Sequence, residues 1–200
     1  MTWVKICGLR TPADVRAATE AGADAIGFVL SQESPRSVRP DLAARLIADA
    51  DLPSFLVTVG ASATEILDLI DYTGASGVQP HGADAGAAAA AARRAGLQVL
   101  RPLPVTEDLD LSIVPEGQIP LLDTHVPGFH GGTGVRFDGS LLPEIDRDWV
   151  MAGGLDPSNV AEAIAAFRPW GVDASSRLES APGQKDHDLI TAFVREAKHA

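Results

Sequence analysis

Short aliphatic or β-branched runs alternate with alanine-rich segments of helical period along the whole of this chain. That alternation constrains the fold more than any other feature. The runs WVKIC (3–7), AIGFVL (25–30), SFLVTV (54–59), SGVQP (76–80), QVLRPL (98–103), IPLLD (119–123), DWVMA (148–152) and GVDAS (171–175) read as eight strands. Helices are expected at 12–21, 40–50, 62–72, 84–95, 156–168 and 186–198, with a further helical turn at 139–146. Thr11 with Asp14, and Ser62 with Glu65, have the spacing of capping boxes, and Asp156 before Pro157 reads as an N-cap followed by proline at the first helical position. The stretch 106–117 is too broken by proline and glycine for a full helix.

Eight such units in 200 residues leave 25 residues each, near the least that a strand, a helix and two short loops require. Strands followed by helices imply parallel pairing with right-handed crossovers. Eight of them close into an α/β fold, a (β/α)8 TIM barrel, with an open doubly wound sheet as the alternative. A hydrophobic content of 46% and the lack of any linker make residues 1–200 a single expected domain.

Charge narrows the partners. The chain has 16 Lys and Arg against 27 Asp and Glu, a net −11 spread along its length, which argues against nucleic acid or an anionic membrane surface. The apolar runs are too short to span a bilayer, and MTWVKICG lacks the features of a signal peptide, so a cytoplasmic location is expected. One cysteine excludes an internal disulfide.

In a barrel of this kind, polar residues at the C-terminal ends of strands face the ligand. Cys7 ends the first strand and is followed by Gly8; Asp123 ends the sixth, emerging from an apolar run. A lone cysteine is often a small buried hydrophobe, and a carboxylate at a strand end can cap a loop. As two titratable groups from different strands at one rim, they can instead divide proton removal and proton delivery. Gly153 and Gly154, in MAGGLDPSNV, and Ser175 and Ser176, in VDASSRLES, follow the seventh and eighth strands, where such barrels hold phosphate on backbone amides. A phosphorylated small-molecule substrate is therefore expected.

Arg36 and Arg39, after the second strand, are candidates to clamp a carboxylate. His81 lies at the rim after the fourth strand, whereas His187 and His199 belong to a terminal helix surface. The glycine-rich segment 125–137 suits a cover over the site. Its Gly131, Gly132 and Gly134 do not follow the dinucleotide fingerprint, so no nucleotide cofactor is expected. No H-x-x-x-H pattern or cysteine cluster offers a metal site.

The blocks VKICGLRTPAD, AGADAIGFVL, SPRSV, QPHG, LLDTHVPGFHGGTG, FDGSLL, AGGLDPSNVAEAI and GVDASSRLESAPGQKD, in this order, resemble the phosphoribosylanthranilate isomerase family of tryptophan biosynthesis. The resemblance implies a (β/α)8 barrel that performs a cofactor-free Amadori rearrangement. It implies that Asp123 is the general acid at the ribose ring oxygen and Cys7 the general base at C2. By the same resemblance Arg36 grips the anthranilate carboxylate, and amides near Gly154 and Ser176 hold the phosphate. A thiol acts as a base only when ionised, so neighbouring dipoles or charge are expected to lower the Cys7 thiol.

Three positions depart from the family pattern, which has glycine at Arg177, leucine at Pro80 and tryptophan at Gly139. Arg177 is expected at an ordinary negative φ, turned outward or lying over the phosphate. Two other readings stay open: a histidine-pathway or dual-pathway phosphoribosyl isomerase, which would carry aspartate in place of Cys7, and a non-catalytic phospho-ligand binding barrel. The chain is expected to be a monomer or a homodimer.

Overall fold

The computed structural model describes residues 1–123, 142 and 144–200. Eight parallel strands form a closed barrel: β1 (Trp3–Cys7), β2 (Ala25–Val29), β3 (Ser54–Val59), β4 (Gly77–His81), β5 (Gln98–Pro104), β6 (Ile119–Asp123), β7 (Val150–Ala152) and β8 (Gly171–Ala174). Each strand pairs with its sequence neighbour, and β1 closes on β8 through Trp3–Gly171, Val4–Val172, Lys5–Asp173 and Ile6–Ala174. The helices are α1 (Pro12–Ala21), α2 (Pro40–Ala48), α3 (Ala63–Thr73), α4 (Ala85–Arg94), α5 (Val160–Phe167) and α6 (His187–His199). Both expected capping boxes form: Thr11 and Ser62 each accept the amide three residues on, and Asp14 and Glu65 reach back. Between β5 and β6 the chain makes only a 3₁₀ turn at Leu111–Ile113, consistent with the break at Pro115 and Gly117.

Three elements differ from the sequence expectation. α5 starts at Val160 with Asn159 as its N-cap, because Asp156 spends its carboxylate on the amide and hydroxyl of Ser158 in a turn of its own. β4 runs to His81, one residue further than its apolar run, and contains Pro80. Its pairing with β5 is registered only at Gly77–Gln98 and Val78–Val99, ahead of Pro80, Pro102 and Pro104, none of which can donate to a ladder. Finally, residues after β8 form a small antiparallel hairpin, β9 (Glu179–Ala181) and β10 (Gln184–Lys185), which the sequence reading did not include. The proposed cover at 125–137 and Gly139 lie outside the described residues. So does most of the expected turn at 139–146, whose described positions 142 and 144–146 are not helical.

The barrel is filled by pairing large side chains with absent ones. A β-carbon on Gly77 would sit 2.5 Å from the Phe55 ring, and one on Gly171 would sit 2.7 Å from the Trp3 indole. Trp3 in turn meets Phe55 edge-on at 6.2 Å and stacks on Trp170 at 5.0 Å. Ala25, Phe55, Leu100, Leu121 and Val150 complete this inner layer. A larger apolar layer, including Val4, Ile6, Phe28, Leu56, Leu122, Met151, Ile190 and Phe193, holds helices against strands. Among the described residues no helix is long and apolar enough to cross a membrane.

Candidate active site

Parallel strands in a closed barrel bring all their C-terminal ends to one rim, so Cys7, His81 and Asp123, each the last residue of its strand, meet there. Cys7 is buried, packed on Val29 and Val57. Its sulfur owes its space to Gly27 on β2, where a β-carbon would come within 3.0 Å of Cys7 Sγ and 3.2 Å of Lys5 Nζ. Gly8 follows with φ of +77°, a conformation that favours glycine. A β-carbon at Gly8 would also strike Arg36 Cδ at 2.9 Å and Ser175 Oγ at 3.0 Å. The stem of Arg36 and the start of the β8 loop therefore lie against the backbone just beyond Cys7.

Below the sulfur is a buried polar group that inspection of strand ends alone overlooks. Lys5 is fully buried, donating from Nζ to Gln79 Oε1 at 2.9 Å and to Asp173 Oδ1 at 3.0 Å. β1 and β4 are not neighbours in the sheet, so the Lys5–Gln79 bond crosses the barrel interior. Gln79 continues to His81 across 3.3 Å between Nε2 atoms. Burial alone would drive the Lys5 proton off, yet Asp173 and then Cys7 hold the ammonium above its ordinary value. Burial pushes the His81 imidazole down, with Lys5 and Arg101 adding to the effect against the opposing charge of Asp123. His81 is accordingly neutral at neutral pH, a hydrogen-bonding group rather than a cation.

The thiol departs from expectation. Burial pushes Cys7 up, and the opposing pull of Lys5, together with that of Lys185, does not overcome it. The cationic neighbours foreseen for an activated thiol are present, but so is the desolvation that favours its neutral form.

A second cluster surrounds Arg36. Its Nε and Nη2 donate to the two carboxylate oxygens of Glu179 at 2.6 and 2.9 Å, a bidentate pairing. Glu179 also accepts from Lys185 Nζ at 3.1 Å and from the Gly183 amide at 3.1 Å. Lys185 donates further to the carbonyl of Ser175 at 2.8 Å, and Ser175 Oγ donates to the Cys7 carbonyl at 3.1 Å. Burial pushes Lys185 down, against Glu179 and Cys7, which favour its charge. Arg39, the other arginine of that loop, is an exposed charge on Asp41 and does not join the site.

Gly153 and Gly154 take φ of +92° and +68° directly after β7, turning the chain sharply at the rim. Ser175 and the exposed Ser176 open the 3₁₀ turn Ser176–Leu178 after β8. Arg177 has an ordinary negative φ, since Arg168 is the one non-glycine described at positive φ. Its Nη2 lies 3.3 Å from Asp156 Oδ2, so it joins the β8 loop to the β7 loop. His187 is exposed and holds Asp14 at 2.9 Å; His199 is exposed and bonds the Arg195 carbonyl. Among the described residues no group of three or more His, Cys, Asp or Glu is placed to hold a metal ion.

Lys5, Gln79, Asp173, Glu179 and Lys185 were not picked out from the sequence. The first three carried a signal nonetheless: charged or amide side chains inside strands that are otherwise mostly apolar. Glu179 and Lys185 had no such mark, as they sit in a short polar stretch with no period to read.

Residues 4–196 match the family described as N-(5'phosphoribosyl)anthranilate (PRA) isomerase. The chain is 42% identical to an N-(5'-phosphoribosyl)anthranilate isomerase of Geobacter sp. (strain M21), over 99% of this chain and 98% of that one. The crystal structure of phosphoribosyl anthranilate isomerase from Thermotoga maritima superposes with a TM-score of 0.88 at 36% identity, covering 100% of both chains. A further solved structure, of the same isomerase in complex with reduced 1-(o-carboxyphenylamino)-1-deoxyribulose 5-phosphate, gives 0.86 at 34% identity and covers 100% of both chains.

Proposed function

The chain belongs to the N-(5'-phosphoribosyl)anthranilate isomerase family, and from that premise we propose that Cys7 and Asp123 are its proton-transfer pair. The activity itself is that of the family: an isomerase of tryptophan biosynthesis that converts N-(5-phosphoribosyl)anthranilate to 1-(2-carboxyphenylamino)-1-deoxyribulose 5-phosphate. The observation that carries the assignment of roles is the meeting of a cation-flanked cysteine and a carboxylic acid at the C-terminal rim of one barrel.

Protonated Asp123 gives its proton to the ring oxygen as the C1–O bond breaks, and the nitrogen lone pair forms the C1=N bond of an iminium. Cys7, as thiolate, removes the C2 proton; the C–H electrons become the C1=C2 bond, and the iminium electrons return to nitrogen. The resulting enolamine loses its C2 hydroxyl proton and gains one at C1, leaving the ketone. Cys7 then carries a proton and Asp123 is a carboxylate, so one proton returns from base to acid through solvent before the next turnover. Electrons and protons balance without a redox or group-transfer partner.

Arg36 takes the anthranilate carboxylate. Glu179 occupies Nε and Nη2 and fixes the plane of the guanidinium, and Nη1 is the nitrogen outside that pairing. The amides around Gly153, Gly154, Ser175 and Ser176 take the phosphate, with His81 as a neutral partner at the opposite wall. The proposed groups all come from one chain, as suits a monomer or a homodimer. A free thiol at the centre of the chemistry suits the reducing cytoplasm.

Purified protein is expected to consume phosphoribosylanthranilate, followed as loss of its fluorescence. Arg36→Met is expected to raise KM about tenfold or more with kcat little changed, because a charge-assisted clamp on the carboxylate is made in ground and transition states alike. An unchanged KM in a folded variant would remove Arg36 from the binding role.

Arg177 is assigned a supporting part. Its guanidinium covers the carboxylate of Asp156, which otherwise stands as a negative charge beside the loop that takes a phosphate dianion. Arg177→Gly is expected to leave kcat intact and to raise KM a few-fold at low ionic strength, the rise fading as salt screens the exposed carboxylate. KM measured at two salt concentrations checks this; a rise independent of salt would point to a loop distortion instead.

A further inference from the structure

A thiolate generated in a buried, largely apolar niche needs a positive charge close by, and the barrel interior supplies one in a fixed place. We infer that Lys5 is the counter-ion of the Cys7 thiolate, a positioning residue for the isomerase whose ammonium Asp173 and Gln79 hold beneath the sulfur. The inference deepens, and rests on, the reading of Cys7 as base.

Three observations carry it. Lys5 Nζ and Cys7 Sγ converge on the same point of β2, 3.2 and 3.0 Å from where a Gly27 β-carbon would stand, and the two side chains interact directly in the space the glycine leaves. The ammonium is anchored from two further strands, by Gln79 on β4 and by Asp173 on β8, and has no freedom to swing to solvent. The third is the composition of the surroundings. From β2 and β3 the uncharged Gly27, Val29 and Val57 pack at the sulfur, and among the described residues the charged groups acting on it include Lys5 on β1, Asp173 on β8 and Lys185 on β10.

Lys5 and Lys185 do different work within this arrangement. Lys185 is bound to Glu179, which is in turn bound to Arg36, so its charge is shared with the substrate-binding side. Lys5 has Asp173 as its carboxylate partner, and the attraction of Lys5 for the sulfur's charge exceeds the repulsion from Asp173. Protonated Cys7 is the resting form, and when the thiol ionises the negative charge appears beside an ammonium already in position. No side chain has to move to stabilise it.

The chain has a single cysteine, so thiolate formation can be read directly from absorbance near 240 nm in a pH titration, with no label and no competing thiol. Lys5→Met alone leaves Asp173 buried without its cation and invites misfolding, so the decisive variant is Lys5→Met with Asp173→Asn, which removes both charges. With the fold verified by circular dichroism, the thiol is expected to ionise at least about 1 pH unit higher than in wild type. The rising acidic limb of kcat should move by the same amount, so that kcat at neutral pH falls about tenfold or more and recovers as pH increases. Restoring Lys5 in the Asp173→Asn background should recover most of the shift.

An unmoved thiol titration in the folded double variant overturns the proposal, whatever the activity. A thiol that moves while the kcat limb stays where it was shows Lys5 paired to a sulfur that is not the base. That outcome rejects the catalytic role of Cys7 and the positioning role of Lys5 with it. A simple loss of stability would lower kcat equally at every pH and leave the thiol titration in place.

Discussion

Cys7→Ala is expected to lower kcat by roughly 10²–10⁴-fold or more while leaving product affinity close to that of wild type. Alanine keeps the β-carbon and removes only the sulfur, so the change is confined to the niche formed by Gly27, Val29, Val57 and Lys5. Neither Lys5 nor His81 is suited to take its place. Lys5 is held as an ammonium, which has no lone pair to accept a proton, and the His81 ring is engaged with Gln79. A single-turnover measurement with substrate deuterated at C2 gives the sharper result. Loss of the base makes C–H cleavage limiting, so the primary isotope effect on the residual rate should increase. Near-wild-type kcat in this variant would mean that another group removes the C2 proton.

Asp123→Asn should reduce kcat over a similar range, roughly 10²–10⁴-fold, by a different route. Asparagine matches aspartate in size, so the strand end and its pairing with Ala152 and Pro104 are retained. Its amide can donate a hydrogen bond to the ring oxygen but cannot deliver a proton as the C1–O bond breaks. Ring opening becomes limiting, and the isotope effect at C2 should fall towards unity even as the rate collapses. The two substitutions therefore give losses of similar size with opposite isotope signatures. Equal isotope effects in both would show that the two groups do not serve separate steps.

The fold was readable because its signal is redundant. Eight apolar runs at a short, regular spacing admit few closures, and misplacing a strand end by one or two residues, as at His81, leaves the topology untouched. Asp156 shows where local rules mislead: it has the chemistry of an N-cap and a proline after it, yet its carboxylate is used on Ser158, before the helix begins. The rim residues Cys7 and Asp123 were legible from their positions at strand ends. Lys5 and Asp173 required a further step, to see that a charge in the first strand and its opposite in the last become register partners once the barrel closes. The hairpin that brings Glu179 and Lys185 to Arg36 left no trace in periodicity, since its strands are three and two residues long. The state of the thiol was beyond the sequence for another reason: whether burial or the nearby ammoniums prevail depends on depth in the barrel, which spacing does not reveal.

The pairing of Lys5 with Asp173 also bears on how the protein comes into being. The two residues stand 168 positions apart, at the seam where the first strand meets the last. A chain emerging from the ribosome makes Lys5 almost at once and its carboxylate only near the end of synthesis, so any shorter piece that began to close would trap a cation with no anion in its centre. Contacts so distant in sequence are slow to form and are reached late. A partial barrel that buried Lys5 without Asp173 would carry an uncompensated charge, and the same contact that completes the cylinder puts the ammonium in place beneath the sulfur. Regain of activity during refolding should then coincide with closure of the sheet rather than precede it.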